Sequence, residues 1–440
     1  MIIDVPTREE ALAWAAKIAA ACRCAQEVRE IMFDPLSDRH HRRAVALAAL
    51  AAACGGSRDA APIVTTAPPS GSAVAPSVRS ASRDVRNGFE LVVPVAPSPV
   101  PVADRRELRY ELHLTNFSDE PLTVSRVRIF DQSDRAVVEL AGESLDRQFG
   151  RQFGRQLGRP GSRAAARDAR TVAPGARAIL YVELACDARA LHHRVEYTTA
   201  GNDAAPRSVD GAPVAVDRAP PVILGAPLRG GPWAAVHDPA WPRGHRRVVY
   251  TVAGTARIPG RYAIDWVALD AAGRYASDPD RVASWYGYGV DVLAVADAVV
   301  AAVRDDVPEV ASVAAQTKHA IGDATGNYVA LDLGHDRFAF YEHLKPGSLR
   351  VRVGQRVRRG EVLGALGFTG DSTGPHLHLH VADANAPLDA EGVPYVFTEF
   401  EELGAYPSMD QFGSSPWSPG APARRHAAWP GPNTVVQFSD

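Results

Sequence analysis

The chain has 440 residues, of which 46% are hydrophobic, and its formal net charge is −3 at pH 7. This length is enough for two or three domains, and the apolar fraction is enough to give each of them a core. The slightly negative charge argues against a nucleic-acid-binding protein, and no run reaches the ~18 apolar residues of a membrane span.

The first 54 residues contain the pattern of an export signal. Residues 39–43 read Arg-His-His-Arg-Arg, residues 44–53 are apolar and alanine-rich, and Cys54 follows. A basic segment, an apolar segment and small residues before a cysteine are typical of a bacterial lipoprotein signal. We therefore predict that residues 32–54 are a signal peptide and that the protein is exported to the periplasm or cell envelope. In this interpretation a lipid on Cys54 is its only membrane anchor.

Two alternatives concern the same region. The apolar run could instead be an alanine-rich helix with an incidental cysteine. If it is a signal, it should start the chain, so Met32 is the expected start and residues 1–31 are a non-native N-terminal extension.

Residues 55–86 are rich in Ala, Pro, Ser and Thr, which predicts a disordered tether. Residues 87–200 then contain short alternating segments separated by turn residues. This pattern predicts an Ig-like β-sandwich. Its clearest strands are Gly88–Val95, Glu107–Asn116, Leu122–Phe130 and Ala178–Leu184.

Two later stretches have no clear periodicity. Residues 201–243 contain six prolines between position 220 and position 242, which predicts a proline-rich linker. Residues 401–440 contain Pro407, Pro416, Pro419 and Pro422 and are predicted to form an irregular tail.

The most informative motif is His376-Leu377-His378-Leu379-His380. On a β-strand the three imidazoles share one face and the leucines share the other. Neighbouring imidazoles on a rigid element suit a zinc ion. The alternative is an exposed strand face that happens to carry histidines.

The order of segments around this motif resembles a known family. Gly326–Gly334 and Phe338–Leu344 read as strands, Val353–Gly367 as two strands with a basic turn, and Gly370–His380 as the histidine segment. This order resembles the core of the lysostaphin/LytM-type zinc metallopeptidases over about residues 245–400. The resemblance implies a zinc peptidase domain of antiparallel β-sheet at residues 244–400. The whole chain is then mainly β, with the Ig-like sandwich first.

The resemblance also implies roles for individual histidines. In the family the second histidine of the pair binds zinc, which corresponds to His378 here. The first histidine, His376, and the strand histidine, His343, then flank the zinc-bound water as general base and as stabiliser of the tetrahedral intermediate.

The family takes its other two ligands, a histidine and an aspartate, from an upstream segment. Asp265 matches the aspartate, and an unpaired carboxylate in so apolar a strand would be costly to bury. The usual histidine four residues earlier is replaced by Arg261. We predict that His245, which precedes an inserted hairpin over residues 248–265, is the missing ligand. The alternative is that the domain has lost zinc.

The function predicted from these features is an exported zinc metalloendopeptidase that cleaves peptide stems or cross-bridges of peptidoglycan. One alternative, favoured by Arg261, is a catalytically inactive module that binds or regulates other cell-wall hydrolases. Another is a peptidase whose substrates are exported proteins.

Overall fold

A computed structural model of the chain describes residues 2–4, 27–30, 44–48, 87–150, 170–199, 206–238, 241 and 244–439. The chain divides into two compact units, residues 1–82 and residues 83–440. No helix among the described residues has the length and apolar character that a membrane crossing requires.

The first unit contains a three-stranded antiparallel sheet of β1 (Ile2–Asp4), β2 (Glu27–Glu30) and β3 (Ala44–Ala48), with β3 in the centre. Strand β3 is the first half of the apolar run in the predicted signal peptide. The rest of that signal and the whole predicted tether lie outside the described residues, so both stay predictions.

The second unit begins with two sheets that enclose one hydrophobic core. Alternation explains the strands: along β7, for example, Leu122, Val124, Val127 and Ile129 are fully buried. The two sheets form a β-sandwich, and its Ig-like character stays a prediction. Its elements are β4 (Phe89–Val92), β5 (Ser98–Val102), β6 (Arg105–Asn116), β7 (Leu122–Asp131), β8 (Ala136–Ala141), α1 (Glu143–Gln148), β9 (Thr171–Val172), β10 (Arg177–Ala185), β11 (Ala190–Thr199) and β12 (Arg207–Ala215).

The remainder of the unit forms an eleven-stranded sheet and two small two-stranded sheets. The strands are β13 (Val222–Leu224), β14 (Gly230–Val236), β15 (Tyr250–Val252), β16 (Thr255–Arg257), β17 (Ile264–Ala268), β18 (Asp291–Leu293), β19 (Ala298–Arg304), β20 (Asn327–Asp332), β21 (Phe338–Leu344), β22 (Arg356–Val357), β23 (Val362–Ala365), β24 (Leu377–Ala382), β25 (Tyr395–Ala405), β26 (Ser418–Ala428) and β27 (Thr434–Phe438).

The large sheet runs in the order β13-β25-β27-β14-β17-β24-β21-β20-β19-β22, with β26 on β25. All its pairs are antiparallel except β13 with β25. One small sheet is the hairpin of β15 and β16, and the other pairs β18 with β23. A mainly β domain of antiparallel sheet was predicted, and this architecture confirms it.

The prediction of a linker over residues 201–243 was wrong. Strand β12 is an edge strand of the sandwich, and β13 and β14 belong to the large sheet. An edge strand tolerates proline because one side of its backbone needs no partner, so Pro213 fits within β12. In β14, Pro232 lies at a register irregularity, before the regular pairing that starts at Trp233.

The prediction of an irregular tail over residues 401–440 was also wrong. It contains the end of β25 and all of β26 and β27. Pro419 and Pro422 lie in β26, which pairs only with β25, so proline is again accommodated at an edge.

Candidate metal centre

Three adjacent strands of the large sheet, β17, β24 and β21, bring the predicted site residues together. In the register, His378 on β24 lies opposite Asp265 on β17 and opposite Glu342 on β21. Leu377 and Leu379 point into the main core on the other face of β24. The alternation of histidine and leucine therefore separates a polar face from the core, as the sequence predicts.

His245, Asp265 and His378 present three donor atoms to one point. His245 Nε2 lies 2.7 Å from Asp265 Oδ2, and His378 Nδ1 lies 2.9 Å from Asp265 Oδ1. One donor atom from each of the three residues falls within 4.8 Å of the others. Two imidazole nitrogens and a carboxylate oxygen are a donor set that suits a metal ion with one open position.

His245 reaches this point from outside the sheet. It begins a 3₁₀ turn, His245–Arg247, directly before the β15–β16 hairpin, so the hairpin predicted between His245 and Asp265 is present. The turn packs tightly on Gly260, where an added Cβ would lie 2.7 Å from the Cβ of His245. The His245 side chain is 31% exposed, and it is the solvent-facing member of the trio.

The surroundings favour the protonation states that bind metal. Burial would raise the pKa of Asp265, but His245 and His376 hold that pKa well below its usual value. Burial, with a contribution from His245, lowers the pKa of His378 to about 4. An ionised carboxylate and a neutral imidazole are the forms that coordinate a metal ion, so the residues present fit the group.

His376 and His343 lie beside the trio, with ring centroids 4.7 Å apart. The Nδ1 of His376 donates to the Gly374 carbonyl at 2.7 Å, and the Nδ1 of His343 donates to the Thr369 carbonyl at 2.8 Å. A carbonyl only accepts, so in each neutral ring the Nε2 atom is unprotonated. The Nε2 of His376 faces Asp265 Oδ1 at 3.3 Å and is available to take a proton.

The two rings differ electrostatically. Burial would lower the pKa of His376, but the Asp265 carboxylate outweighs it and the pKa is raised. Burial, reinforced by His376 and His378, lowers the pKa of His343 well below its usual value. Two neighbouring imidazoles with opposite shifts are what a site needs to move one proton and stabilise one developing charge.

His380 and Glu342 support the other side of His378. The Nε2 of His378 lies 3.2 Å from the Nδ1 of His380, which in turn lies 3.6 Å from Glu342 Oε1. A metal-binding imidazole commonly donates its second N–H to such a partner, which fixes the ring. His380 therefore lies behind the donor trio, in contact with His378.

The sequence interpretation missed Glu342. On a regular strand Glu342 and His343 would face opposite sides of the sheet. His343 has a φ of 62°, so the strand is irregular there, and both side chains face the site. Among non-glycine residues this conformation is uncommon and clusters at functional sites. The alternating pattern of β21 gives no sign of it.

Arg261, which replaces the histidine expected in the family pattern, does not point to the donor trio. Its guanidinium is buried between Glu111 of β6 and Glu391, donating to Glu111 Oε2 from Nε at 2.9 Å and from Nη2 at 2.6 Å. Arg261 therefore has a structural role in this chain, and its presence does not block the metal centre.

A comparison with known families covers only some of the site residues. Residues 286–390 match the model of peptidase family M23, a segment that holds His343, His376 and His378. Residues 286–390 are a peptidase family M23 domain. His245 and Asp265 lie upstream of this segment.

The chain is also similar to individual proteins. It is 40% identical over 65 residues to the peptidoglycan DD-endopeptidase ShyA of Vibrio cholerae. These 65 residues are 15% of this chain and 15% of ShyA. The chain therefore spans only a small part of this relative. A putative peptidase M23 from Pseudomonas aeruginosa aligns over 60% of this chain and 88% of its own, at 18% identity and TM-score 0.23. A zinc-containing peptidase from Vibrio cholerae aligns over 68% and 83%, at 17% identity and TM-score 0.20.

Proposed function

We propose that the protein is an exported zinc metalloendopeptidase that hydrolyses peptide bonds in the stems or cross-bridges of peptidoglycan. One observation carries the proposal. The donor atoms of His245, Asp265 and His378 converge next to two imidazoles, on His343 and His376, whose Nε2 atoms are unprotonated in the neutral rings.

The proposed chemistry divides between the bound ion and the side chains. Zinc held by His245, Asp265 and His378 would lower the pKa of a bound water and polarise the scissile carbonyl. His376 and His343 are proposed to take up the proton of the attacking water and to donate a hydrogen bond to the developing oxyanion. The carbonyls of Gly374 and Thr369 keep the Nε2 atom of each neutral ring free to accept the proton of the attacking water. A ring that has taken up this proton can then donate a hydrogen bond from Nε2 to the developing oxyanion.

The choice of peptidoglycan is supported by the M23 domain and by the similarity to ShyA, a protein named as a peptidoglycan DD-endopeptidase. Because the similar segment covers 15% of ShyA, the bond that ShyA cleaves is not assigned to this chain. The proposed substrate class is therefore peptidoglycan peptides in general.

The second candidate function is a catalytically inactive module that binds or regulates cell-wall hydrolases. Arg261 favours it, because the family pattern has a zinc-binding histidine at that position. The ion pairs of Arg261 with Glu111 and Glu391 favour the enzyme instead, since they give the arginine a separate role. In the enzyme proposal His245 supplies the missing ligand.

The test is metal content together with peptidoglycan digestion. We expect the purified full chain to contain about one zinc ion and to release muropeptides, measured by elemental mass spectrometry and by chromatography of the digest. His378→Ala and His245→Ala should each lose the zinc, because losing one of three protein ligands is severe. His426→Ala, which changes an exposed histidine of β26, is the matched control.

Each contrary result has a distinct meaning. Zinc content unchanged in His245→Ala would show that His245 is not a ligand. Wild-type protein that binds no zinc and releases no muropeptides would exclude the enzyme and favour the regulatory module. Cleavage of an unrelated protein substrate with peptidoglycan left intact would point to a peptidase of exported proteins.

Export and lipidation are a separate part of the proposal. They are supported by the basic residues 39–43, the apolar run and Cys54. In a bacterial host the processed chain should begin at Cys54 and carry lipid, which intact-mass measurement on membrane fractions would detect. A soluble product that retains residues 1–53 would contradict this.

A further inference from the structure

Four buried charged side chains connect the β-sandwich to the M23 domain. They are Glu111 on β6, Arg246, Arg261 and Glu391, with exposed fractions of 1%, 6%, 5% and 5%. Charged residues are rarely buried to this degree unless they are paired. The cluster has no place in the proposed chemistry, because none of its members belongs to the donor trio or to the two flanking histidines.

Glu111 is the centre of this cluster. Its Oε1 accepts a hydrogen bond from Arg246 Nε at 3.0 Å, and its Oε2 accepts from Arg261 Nε at 2.9 Å. Both arginines adjoin proposed metal ligands in the sequence. Arg246 follows His245 directly, and Arg261 lies in the turn that leads into Asp265. One carboxylate of the sandwich therefore ties together the two segments that supply these ligands.

The other contacts of Arg246 also go to the sandwich. Its Nη2 donates to the carbonyls of Tyr110 at 2.9 Å and Val182 at 2.8 Å, and its Nη1 donates to Glu183 at 3.1 Å. These acceptors all lie on β6 and β10. Since His245 sits in a three-residue turn outside the large sheet, the anchoring of Arg246 in the sandwich fixes where His245 can be.

The charges in the cluster are matched. Burial would raise the pKa of Glu111, but Arg261 and Arg246 outweigh this and hold the pKa below its usual value. Glu111 is therefore ionised and accepts charge-assisted hydrogen bonds from both arginines. Removing the charge of Glu111 would leave two buried guanidinium groups without their shared carboxylate, and the amide N–H group of a glutamine there would face one of them.

We infer that Glu111 is a positioning residue for the metal centre, which fixes His245 and Asp265 relative to each other and makes the sandwich a required part of the M23 site. The inference rests on the proposed function, because it takes His245, Asp265 and His378 to be the metal ligands. It extends that function by assigning the β-sandwich a role in assembling the centre.

The experiment compares Glu111→Gln with Glu139→Gln in the full chain. Glu139 is a sandwich carboxylate that pairs with surface arginines and is half exposed, so it is a matched control. Zinc affinity is measured by competition with a chelator. The visible absorption spectrum of the cobalt(II)-loaded protein reports ligand geometry independently of stability. We expect Glu111→Gln to weaken zinc binding about 10- to 100-fold and to change the cobalt spectrum, and Glu139→Gln to change neither.

Arg246→Lys is the second variant and decides the matter if Glu111→Gln does not fold. Lysine keeps the charge, but it cannot reproduce the planar fork that holds Glu111, Glu183 and two carbonyls at once. A folded Arg246→Lys protein with weakened zinc binding and a changed cobalt spectrum supports the inference.

Three results would overturn the inference. If Glu111→Gln folds and keeps wild-type zinc affinity and cobalt spectrum, Glu111 is only structural, while the proposed function stands. Glu111 is likewise only structural if Glu111→Gln does not fold and Arg246→Lys keeps the wild-type zinc affinity and cobalt spectrum. If the wild-type protein binds no zinc, the metal assignment fails and this inference fails with it.

Discussion

The proposed site has two halves that are built in different ways. His376 and His378 belong to β24 and its preceding turn, inside the segment that matches peptidase family M23. Asp265 and His245 lie upstream of that segment, and His245 sits in a three-residue turn supported by the sandwich. The first half is positioned by the alternation of one strand. The second half is positioned by contacts between segments distant in the sequence.

The difference shows which features of a site can vary within a family fold. A ligand on a central strand cannot shift by one position along the sequence, because the side chains next to it point into the core. A ligand on a surface turn can be supplied from another position if a second domain holds the turn. Arg261 and His245 are consistent with such an exchange, since the arginine anchors the segment in which the family pattern has its histidine ligand.

The sharpest test of the downstream half separates turnover from metal binding. His376→Ala and His343→Ala should each retain zinc but lose about 100- to 10,000-fold in the rate of peptidoglycan cleavage, because these rings handle protons and charge. The measurements are zinc content and digestion rate on the same preparations. Loss of zinc in either variant would show that its histidine is a ligand, and the two halves would then no longer differ in role.

The upstream half is tested by Arg261→His, which restores the family pattern. We expect no gain of metal and a loss of stability of about 3 kcal/mol or more, because the shared partner of Glu111 and Glu391 disappears. Thermal unfolding and zinc titration measure the two effects. Arg274→His, which breaks an exposed pair with Asp270, is the control and should leave the stability nearly unchanged.

A positive result would be informative here as well. If Arg261→His binds zinc more tightly than the wild type, the arginine occupies a ligand position after all. The regulatory-module interpretation would then gain support.

A smaller effect is expected from Gly260→Ala. The new methyl group would lie 2.7 Å from the Cβ of His245, so the His245 turn must shift. We expect zinc affinity to fall about tenfold, in the range typical of altered ligand support, while the fold persists. Gly322→Ala, where an added Cβ meets nothing within 4 Å, is the matched control. Unchanged affinity in Gly260→Ala would mean that the turn is not held as tightly as the distances indicate.

The downstream half could be predicted from sequence because its information is local. The alternation His376-Leu377-His378-Leu379-His380 dictates which side chains share a face. In the upstream half only Asp265 has such a local signal, as a lone carboxylate among apolar residues. The partnership of Arg246 and Arg261 with Glu111 could not be predicted. It joins positions 135 and 150 residues apart, and only the folded chain brings them together.

The wrong predictions share a physical cause. Residues 201–243 and 401–440 were interpreted as linker and tail because of their prolines. Proline is excluded only from the interior of strands that are paired on both sides, and β12 and β26 are edge strands. Whether a strand is central or at an edge depends on topology, which single-segment periodicity does not contain.

The position of β27 sets an order of events for the growing chain. This strand lies between β25 and β14 in the interior of the large sheet, and β14 in turn pairs with β17, which carries Asp265. Strand β14 (residues 230–236) is therefore synthesised long before β27, the strand with which it pairs. Until β27 has been made, β14 presents an unpaired edge that other chains could join. The sheet beneath Asp265 is complete only after residues 434–438 have been made, so a shorter, partly synthesised chain lacks the finished support of the proposed metal centre.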